Sequence, residues 1–396
     1  MIGSINRHRL NIVAIAFFWL AVQIILFTIY GVKEVNDSVR YLTYARNIID
    51  DGFYVDRHNV WYIGYVFYLV VCLIGGIGLK GAVLVQVLLG GYAVLCISKL
   101  AQDVSKNRLA GYWAALFCIG WIKISTWHFY IMTESLYTSL FCIGCYWIYR
   151  IKEIKDFWKL LPLCMMIFFI RPSGITFTLA LAALFLWRMY QEHPIVFRRF
   201  GLIILSLSAV ISYFLLNKML ATFDMISLYL RGELVFAYGT LPVAHRIYDT
   251  YLIVPPPLDV HVPYENMAPI HKLAYYVIYN PVHFLKLAVG KAFYYFGNIR
   301  PYFSWLHNAV IAIILYPAYY FCWVGFKSNK DVRGIKLFIR TVVISNVLIV
   351  ILATEDWDGR FLIPILPLIF VFTGIGLSRQ AHFFNNFLHL FRRRRG

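Results

Sequence analysis

Apolar stretches close to the length of a bilayer crossing recur along the whole chain, and no other feature restricts its fold as strongly. A hydrocarbon core of about 30 Å asks for roughly 17 to 25 predominantly apolar residues in a helix. Residues 10–30, 82–100, 131–149, 175–187, 201–216, 303–326, 337–353 and 361–377 are the good candidates, and 109–122 and 160–170 are shorter ones that need polar cover at one end. Hydrophobic residues make up 61% of the chain and charged residues 14%, well under the roughly one quarter of a soluble domain. The reading is an all-α polytopic membrane protein with about 10 (9–12) transmembrane helices.

A formal net charge of +18 would fit nucleic acid, but its placement fits a membrane better. The basic excess falls in the N-terminus (Arg7, Arg9), in 99–108, 150–159, 188–199 and 327–340, and in the tail (Arg379, Arg392 to Arg395). Alternate loops facing the cytoplasm account for this without a nucleic-acid partner. Both termini are then cytoplasmic, and the terminal arginine run is a solvated anchor near anionic lipid. Basic residues precede the first apolar stretch but no small-residue cleavage site follows it, the pattern of an uncleaved signal anchor. All seven cysteines lie in apolar segments, which suggests neither a disulfide framework nor a zinc ribbon. Cys142 and Cys145 form a C-x-x-C that reads as packing inside a span.

From residue 99 onward the alternation is self-consistent, and it places Asp37 and Glu134 outside only if 61–100 makes one net crossing. Residues 82–100 are the cleaner span. Residues 61–79 open with Trp61, Tyr62, Tyr65, Phe67 and Tyr68 and close on Gly75, Gly76 and Gly78, the composition of an interfacial or re-entrant helix. The expected organisation is therefore an N-terminal transmembrane module (1–216) with its first loop (32–60) and that interfacial helix (61–79), an extracytoplasmic loop or lid with juxtamembrane helices (217–302), and C-terminal transmembrane helices with a basic tail (303–396). The long loop carries Pro255, Pro256 and Pro257 and turns aromatic and helix-like from His271 to Phe296. Loops of that length are usually functional or small appended domains.

Four polar clusters interrupt the apolar pattern. In the first loop Tyr41, Tyr44, Ala45 and Ile48 recur at helical spacing while Asp37, Arg40, Asp50 and Asp51 take other positions, the pattern of an amphipathic helix on the outer interface. Asn36 or Asp37 could cap that helix, or Asp37 could take a proton from an acceptor hydroxyl. At 132–136 Thr133 could cap a span with Glu134 in its first turn; an ionisable group at a membrane boundary is also a functional candidate, and Lys123 and His128 lie close in sequence. Arg171 and Pro172 break two short apolar halves, and the planar arginine fork suits a phosphate or snorkels to head groups. At 355–361 Arg360 could pair with Asp358 or hold a phosphate. The chain has no H-E-x-x-H, no G-x-x-x-x-G-K-[ST], no G-x-S-x-G and no dinucleotide fingerprint, which argues against ATP or a nucleotide sugar as direct substrate.

The order of these clusters resembles the GT-C superfamily of integral-membrane glycosyltransferases, in particular the bacterial relatives of protein mannosyltransferases and lipid A aminoarabinose transferases (glycosyltransferase family 39-like). The matching residues are Asp37 with Tyr44, Ala45 and Gly52; Met132 to Leu136 around Glu134; Arg171-Pro172; Asn280-Pro281; and Arg360-Phe361 followed by Pro364 and Pro367. Asn36 stands where many relatives carry a second acid, and Trp61 to Tyr65 replace the usual proline-rich pattern. The resemblance implies a GT-C-like fold in the cytoplasmic (inner) membrane of a bacterium. It implies inverting transfer of a sugar from a polyprenyl-phosphate donor to a glycolipid, polysaccharide or protein acceptor on the extracytoplasmic face. Asp37 and Glu134 are then the catalytic residues, with Arg171, Arg360 and Lys123 binding the donor phosphate. No residue is expected to ligate a metal and no cofactor is required, a divalent cation being optional. The rival readings are a transporter or flippase of lipid-linked sugars, an O-antigen polymerase or ligase, and a non-enzymatic scaffold.

Overall fold

The computed structural model describes residues 2–328 and 332–393, so Arg394 and Arg395 of the basic tail lie outside the described residues. Its α-helices in chain order are α1 (Ile2–Tyr30), α2 (Asn36–Asp51), α3 (Ile63–Ile74), α4 (Gly78–Ser105), α5 (Arg108–Gly120), α6 (Ile122–Thr126), α7 (Thr133–Arg150), α8 (Leu161–Ile170), α9 (Ile175–Glu192), α10 (Pro194–Leu220), α11 (Met225–Leu230), α12 (Asp249–Leu252), α13 (Pro269–Tyr279), α14 (Pro281–Gly297), α15 (Trp305–Ser328), α16 (Arg333–Leu352) and α17 (Leu366–Arg393). Extended pairing among the described residues is limited to isolated bridges such as Lys33 with Tyr130 and Val235 with Glu355. Helices satisfy their own backbone, which is what the absence of water in a bilayer demands.

By length and composition, five described helices can cross a membrane: Ile12–Tyr30, Gly78–Ser105, Pro172–Glu192, Trp305–Ser328 and Arg333–Leu352. Two bent pairs raise that to seven if each is one span; α5 and the segment through Phe129 meet at 63°. Asn59–Ile74 and Leu366–Gln380 are apolar but shorter. The chain is a helical, membrane-integral protein.

It forms two compact units. The first takes Met1–Thr178, Ile314–Ile339 and Ile363–Gly396. Within it α3 returns against α4 through a turn at Gly76, whose φ of 71° only glycine adopts without cost. Tyr65 donates to the Gln86 side-chain oxygen at 3.2 Å, and the Gln86 amide donates to the carbonyls of His128 (2.8 Å) and Tyr130 (3.1 Å). One buried glutamine of α4 thus fixes α3 on one side and the segment leading into α7 on the other.

The second unit takes Leu179–Ile313 and Arg340–Leu362. Its core gathers Tyr229, Leu234, Val235, Leu252, Tyr276 and Leu287, so the long loop of the sequence is a packed module. The segment read as helix-like from His271 becomes α13 and α14, separated at Asn280-Pro281. Asn280 clamps His261 both ways, accepting its N–H and donating to its carbonyl, each at 2.8 Å.

Candidate functional site

The first unit brings three of the sequence candidates into one neighbourhood. The chain leaving α1 pairs with the chain entering α7: the Lys33 N–H donates to the Phe129 carbonyl at 2.8 Å, and Ile131 donates back to the Lys33 carbonyl at 3.0 Å. That pairing holds the start of α2 beside the start of α7. α2 then buries Tyr41, Leu42, Tyr44 and Ala45, with Ile48 half-buried, so the helical spacing in the sequence is the packed face of this helix.

Asp37 is not the cap of α2. Val35 is the first flanking residue, and its N–H donates to the Ser38 hydroxyl at 2.9 Å. Asp37 sits inside the first turn, about one third exposed, its carboxylate 3.4 Å from Arg40. Arg40 lies over two rings, 5.0 Å from the centre of Tyr41 and 5.3 Å from that of Tyr62, and donates to the Tyr41 hydroxyl at 3.2 Å. Burial works against the Arg40 charge, but the fields of Tyr41 and Asp37 outweigh it and hold the group above its ordinary range.

Glu134 is 1% exposed and accepts from Arg171 at 2.8 Å. Met132 precedes the helix and Thr133 is its first residue, so the expected Thr133 cap is absent; its hydroxyl instead lies 3.3 Å from the other Glu134 oxygen. A carboxylate in a first turn gains from the helix dipole, and Glu134 holds that position in α7. Arg171 is delivered by the break between α8 and α9, where its backbone is extended (φ −154°, ψ 135°) and Pro172–Gly174 form a 3₁₀ turn. That turn folds so closely onto α8 that a Cβ on Gly174 would lie 2.4 Å from the Ile167 carbonyl oxygen. The arginine read as a phosphate fork is thus engaged with Glu134.

Tyr41 and Tyr62 join the two pairs. Their rings are 5.4 Å apart. Burial pushes the Tyr41 hydroxyl up, with Tyr62 and the Glu134 charge adding to it. Tyr62 is raised by burial too, while Arg171 and Arg40 both pull against that shift. His58 stacks obliquely on Tyr62 at 5.7 Å and is held below its ordinary range, first by burial and then by Arg40. The His58 imidazole, in the field of Asp56 and Asp37 as well as of Arg40, is therefore part of the same surface. In the sequence Arg40 reads only as a polar position and nothing singles out His58; the signal for both is their position between Asp37 and the aromatic run at 61–68.

Lys123 is half-buried on α6. His128 is taken up in packing, its Nδ1 2.6 Å from the Ser135 hydroxyl and its ring edge-on to Trp19 at 5.2 Å. Arg360 belongs to the second unit, where its Nε is 2.7 Å from the Asp356 carboxylate. Among the described residues no three His, Cys, Asp or Glu side chains converge as a metal site. No family model matches the chain, and no curated protein matches it.

Proposed function

We propose that this protein is a membrane glycosyltransferase of the GT-C kind, moving a sugar from a polyprenyl-phosphate carrier to a hydroxyl acceptor on the extracytoplasmic face. One observation carries the reading: a partly exposed carboxylate, Asp37, stands beside Arg40 on an aromatic wall whose far side feels the buried Glu134–Arg171 pair. An exposed Asp–Arg pair contributes at most about 1 kcal/mol to stability, so holding it there is poorly explained by folding alone.

In this reading Asp37 takes the proton of the acceptor hydroxyl as that oxygen bonds to the anomeric carbon. The bond from that carbon to the phosphate oxygen breaks on the opposite face, and the polyprenyl phosphate leaves with the electron pair. General base catalysis of this type is worth about 10²- to 10⁴-fold. Arg40 and Arg171 supply positive charge toward the departing phosphate, with Lys123 a further cation of the same unit, and Glu134 fixes the orientation of Arg171. A divalent cation is optional because the phosphate is already a good leaving group. The acceptor is a glycolipid, polysaccharide or protein, and both termini face the cytoplasm. About ten crossings would require short helices such as Leu366–Gln380 to traverse the bilayer as well. A reporter fused near Lys80 that reads cytoplasmic would overturn the topology.

Purified protein incubated with radiolabelled polyprenyl-phosphate sugars and a membrane extract should move label to lipid, polysaccharide or protein. Turnover of Asp37→Asn equal to wild type would refute the assignment. The bent α5–α6 segment supports a second reading, a transporter of lipid-linked sugars, since such proteins build their sites from broken helices. Donor binding without transfer of label to any acceptor would favour it.

A further inference from the structure

The end of α4 remote from the Asp37 surface carries a recess that the proposed transfer does not use. Gln86 marks the near end, where its amide holds the carbonyls of His128 and Tyr130 just before α7. Lys99 lies 13 residues on, about 20 Å along the helix axis at 1.5 Å per residue. There a cavity of about 270 Å³ opens beside α1, α4 and α5, with Ile12, Ile15, Tyr92 and Leu95 on its apolar wall and Lys99 and Arg108 at its basic end.

The two ends of this recess ask for different chemistry. From Tyr92 to Lys99 the wall runs about 10 Å along a helix that can span the bilayer, and each methylene laid against it is removed from water or from looser lipid packing. At the other end Asp103 answers the Lys99 charge at 3.1 Å. Arg108 extends, exposed, from the first turn of α5, where the helix dipole is already positive. A cation at that position is unfavourable in the protein alone and favourable once an anion is present. A soluble phosphate would use the basic end and leave the apolar wall bare; a neutral chain would do the reverse. An anionic amphiphile uses both, and basic recesses between transmembrane helices are known takers of anionic head groups.

We propose that this recess binds one anionic phospholipid of the surrounding bilayer, its acyl chain along Ile12, Ile15 and Leu95 and its phosphate between Lys99 and Arg108. The proposal is independent of the transfer reaction, since the recess lies at the other end of the first unit.

The test is native mass spectrometry of the full chain released from nanodiscs of mixed phosphatidylglycerol and phosphatidylcholine. Wild type should retain one phosphatidylglycerol in preference to phosphatidylcholine. The double variant Lys99→Gln/Arg108→Gln should weaken that retention about 30-fold, given the usual worth of two basic residues near an anionic head group. Lys155→Gln removes one charge from an exposed position outside the recess and should change nothing. Ile15→Trp keeps both cations but fills the cleft, and should expel the lipid while the melting temperature stays within a few degrees of wild type. Equal retention of the two lipids, an equal loss in Lys155→Gln, or full retention in Ile15→Trp would each overturn the proposal.

Discussion

Arg171 and Arg300 each meet a buried glutamate, at 2.8 and 3.0 Å, yet the two pairs are surrounded differently. In the second unit Arg300 and Glu355 are both fully buried, and the guanidinium also donates to the backbone carbonyls of Tyr294 (2.8 Å), Ile299 (3.0 Å) and Asp356 (3.0 Å). That arginine ties the end of α14 to the chain after α16, mostly through main-chain carbonyls. In the first unit the neighbours of the Glu134–Arg171 pair are titratable side chains: Tyr62 and Tyr41 feel it, and Arg40 and Asp37 stand beyond them, a third exposed. An arginine bound mostly to main-chain carbonyls is a structural tie. One set among hydroxyls and a partly solvated carboxylate is placed for chemistry.

The sharpest way to break that comparison is to separate activity from stability. Asp37→Asn should lower label transfer by about 10²- to 10⁴-fold, with melting in detergent unchanged, because only a proton acceptor is lost and the exposed pair contributes little to folding. Should that variant melt as low as a broken Arg300 pair, the first unit is as structural as the second and the contrast fails. Arg300→Met should do the opposite, destabilising the protein by about 1–3 kcal/mol because the Glu355 carboxyl and the carbonyls of Tyr294, Ile299 and Asp356 lose a buried donor. The double variant Arg300→Met/Glu355→Met should recover much of that loss, since exchanging both partners of a buried polar pair for apolar groups is often nearly neutral. Differential scanning of the three proteins reads this directly.

Glu134→Gln is the intermediate case. It keeps the shape of the side chain and a hydrogen-bond acceptor for Arg171 but removes the charge that balances it. Transfer should fall about 10-fold, mostly through donor binding if Arg171 then swings toward a different partner. A rise in KM for the lipid donor with kcat retained would place Glu134 as a positioning residue; a fall in kcat alone would place it in the chemical step.

The helices and the packed face of α2 were legible because their cause is local. Apolar runs of span length have few alternatives, and Tyr41, Tyr44 and Ala45 carry the 3.6-residue period on their own. What the sequence concealed is long-range. Glu134 and Arg171 are 37 residues apart and meet only because the 3₁₀ turn at Pro172–Gly174 folds back onto α8. Asp37 looked like a cap because aspartate commonly is one, but the pairing of Lys33 with Tyr130 shifts the helix start so that Val35 takes that place. Nothing in the sequence singles out Lys291, and Glu355 reads only as one member of the charge cluster at 355–361. Single charges in an aromatic loop look solvated, and only the burial of α14 and of the chain after α16 shows that they are not.

Those two groups set the last test of the comparison, its pH dependence. Burial lifts Glu355 from its ordinary 4.5 to about 8, against the pull of Arg300. Between those values the folded state holds a proton that the unfolded state has released, so stability falls as pH rises through the window. Burial lowers Lys291 from 10.5 to about 7, Glu233 offsetting part of it, while its amine donates to the Ala353 carbonyl near the end of α16. Between 7 and 10.5 the unfolded state is the one that binds the extra proton, so stability rises with pH there. The second unit should therefore be least stable between about pH 7 and 8. Glu355→Gln should flatten the acidic arm of a melting-temperature profile and Lys291→Met the alkaline arm, each by a few degrees. Label transfer, which depends on Asp37 in the first unit, should keep its pH profile in both variants at a temperature where each stays folded, and a shifted profile would mean that the two regions are not separable.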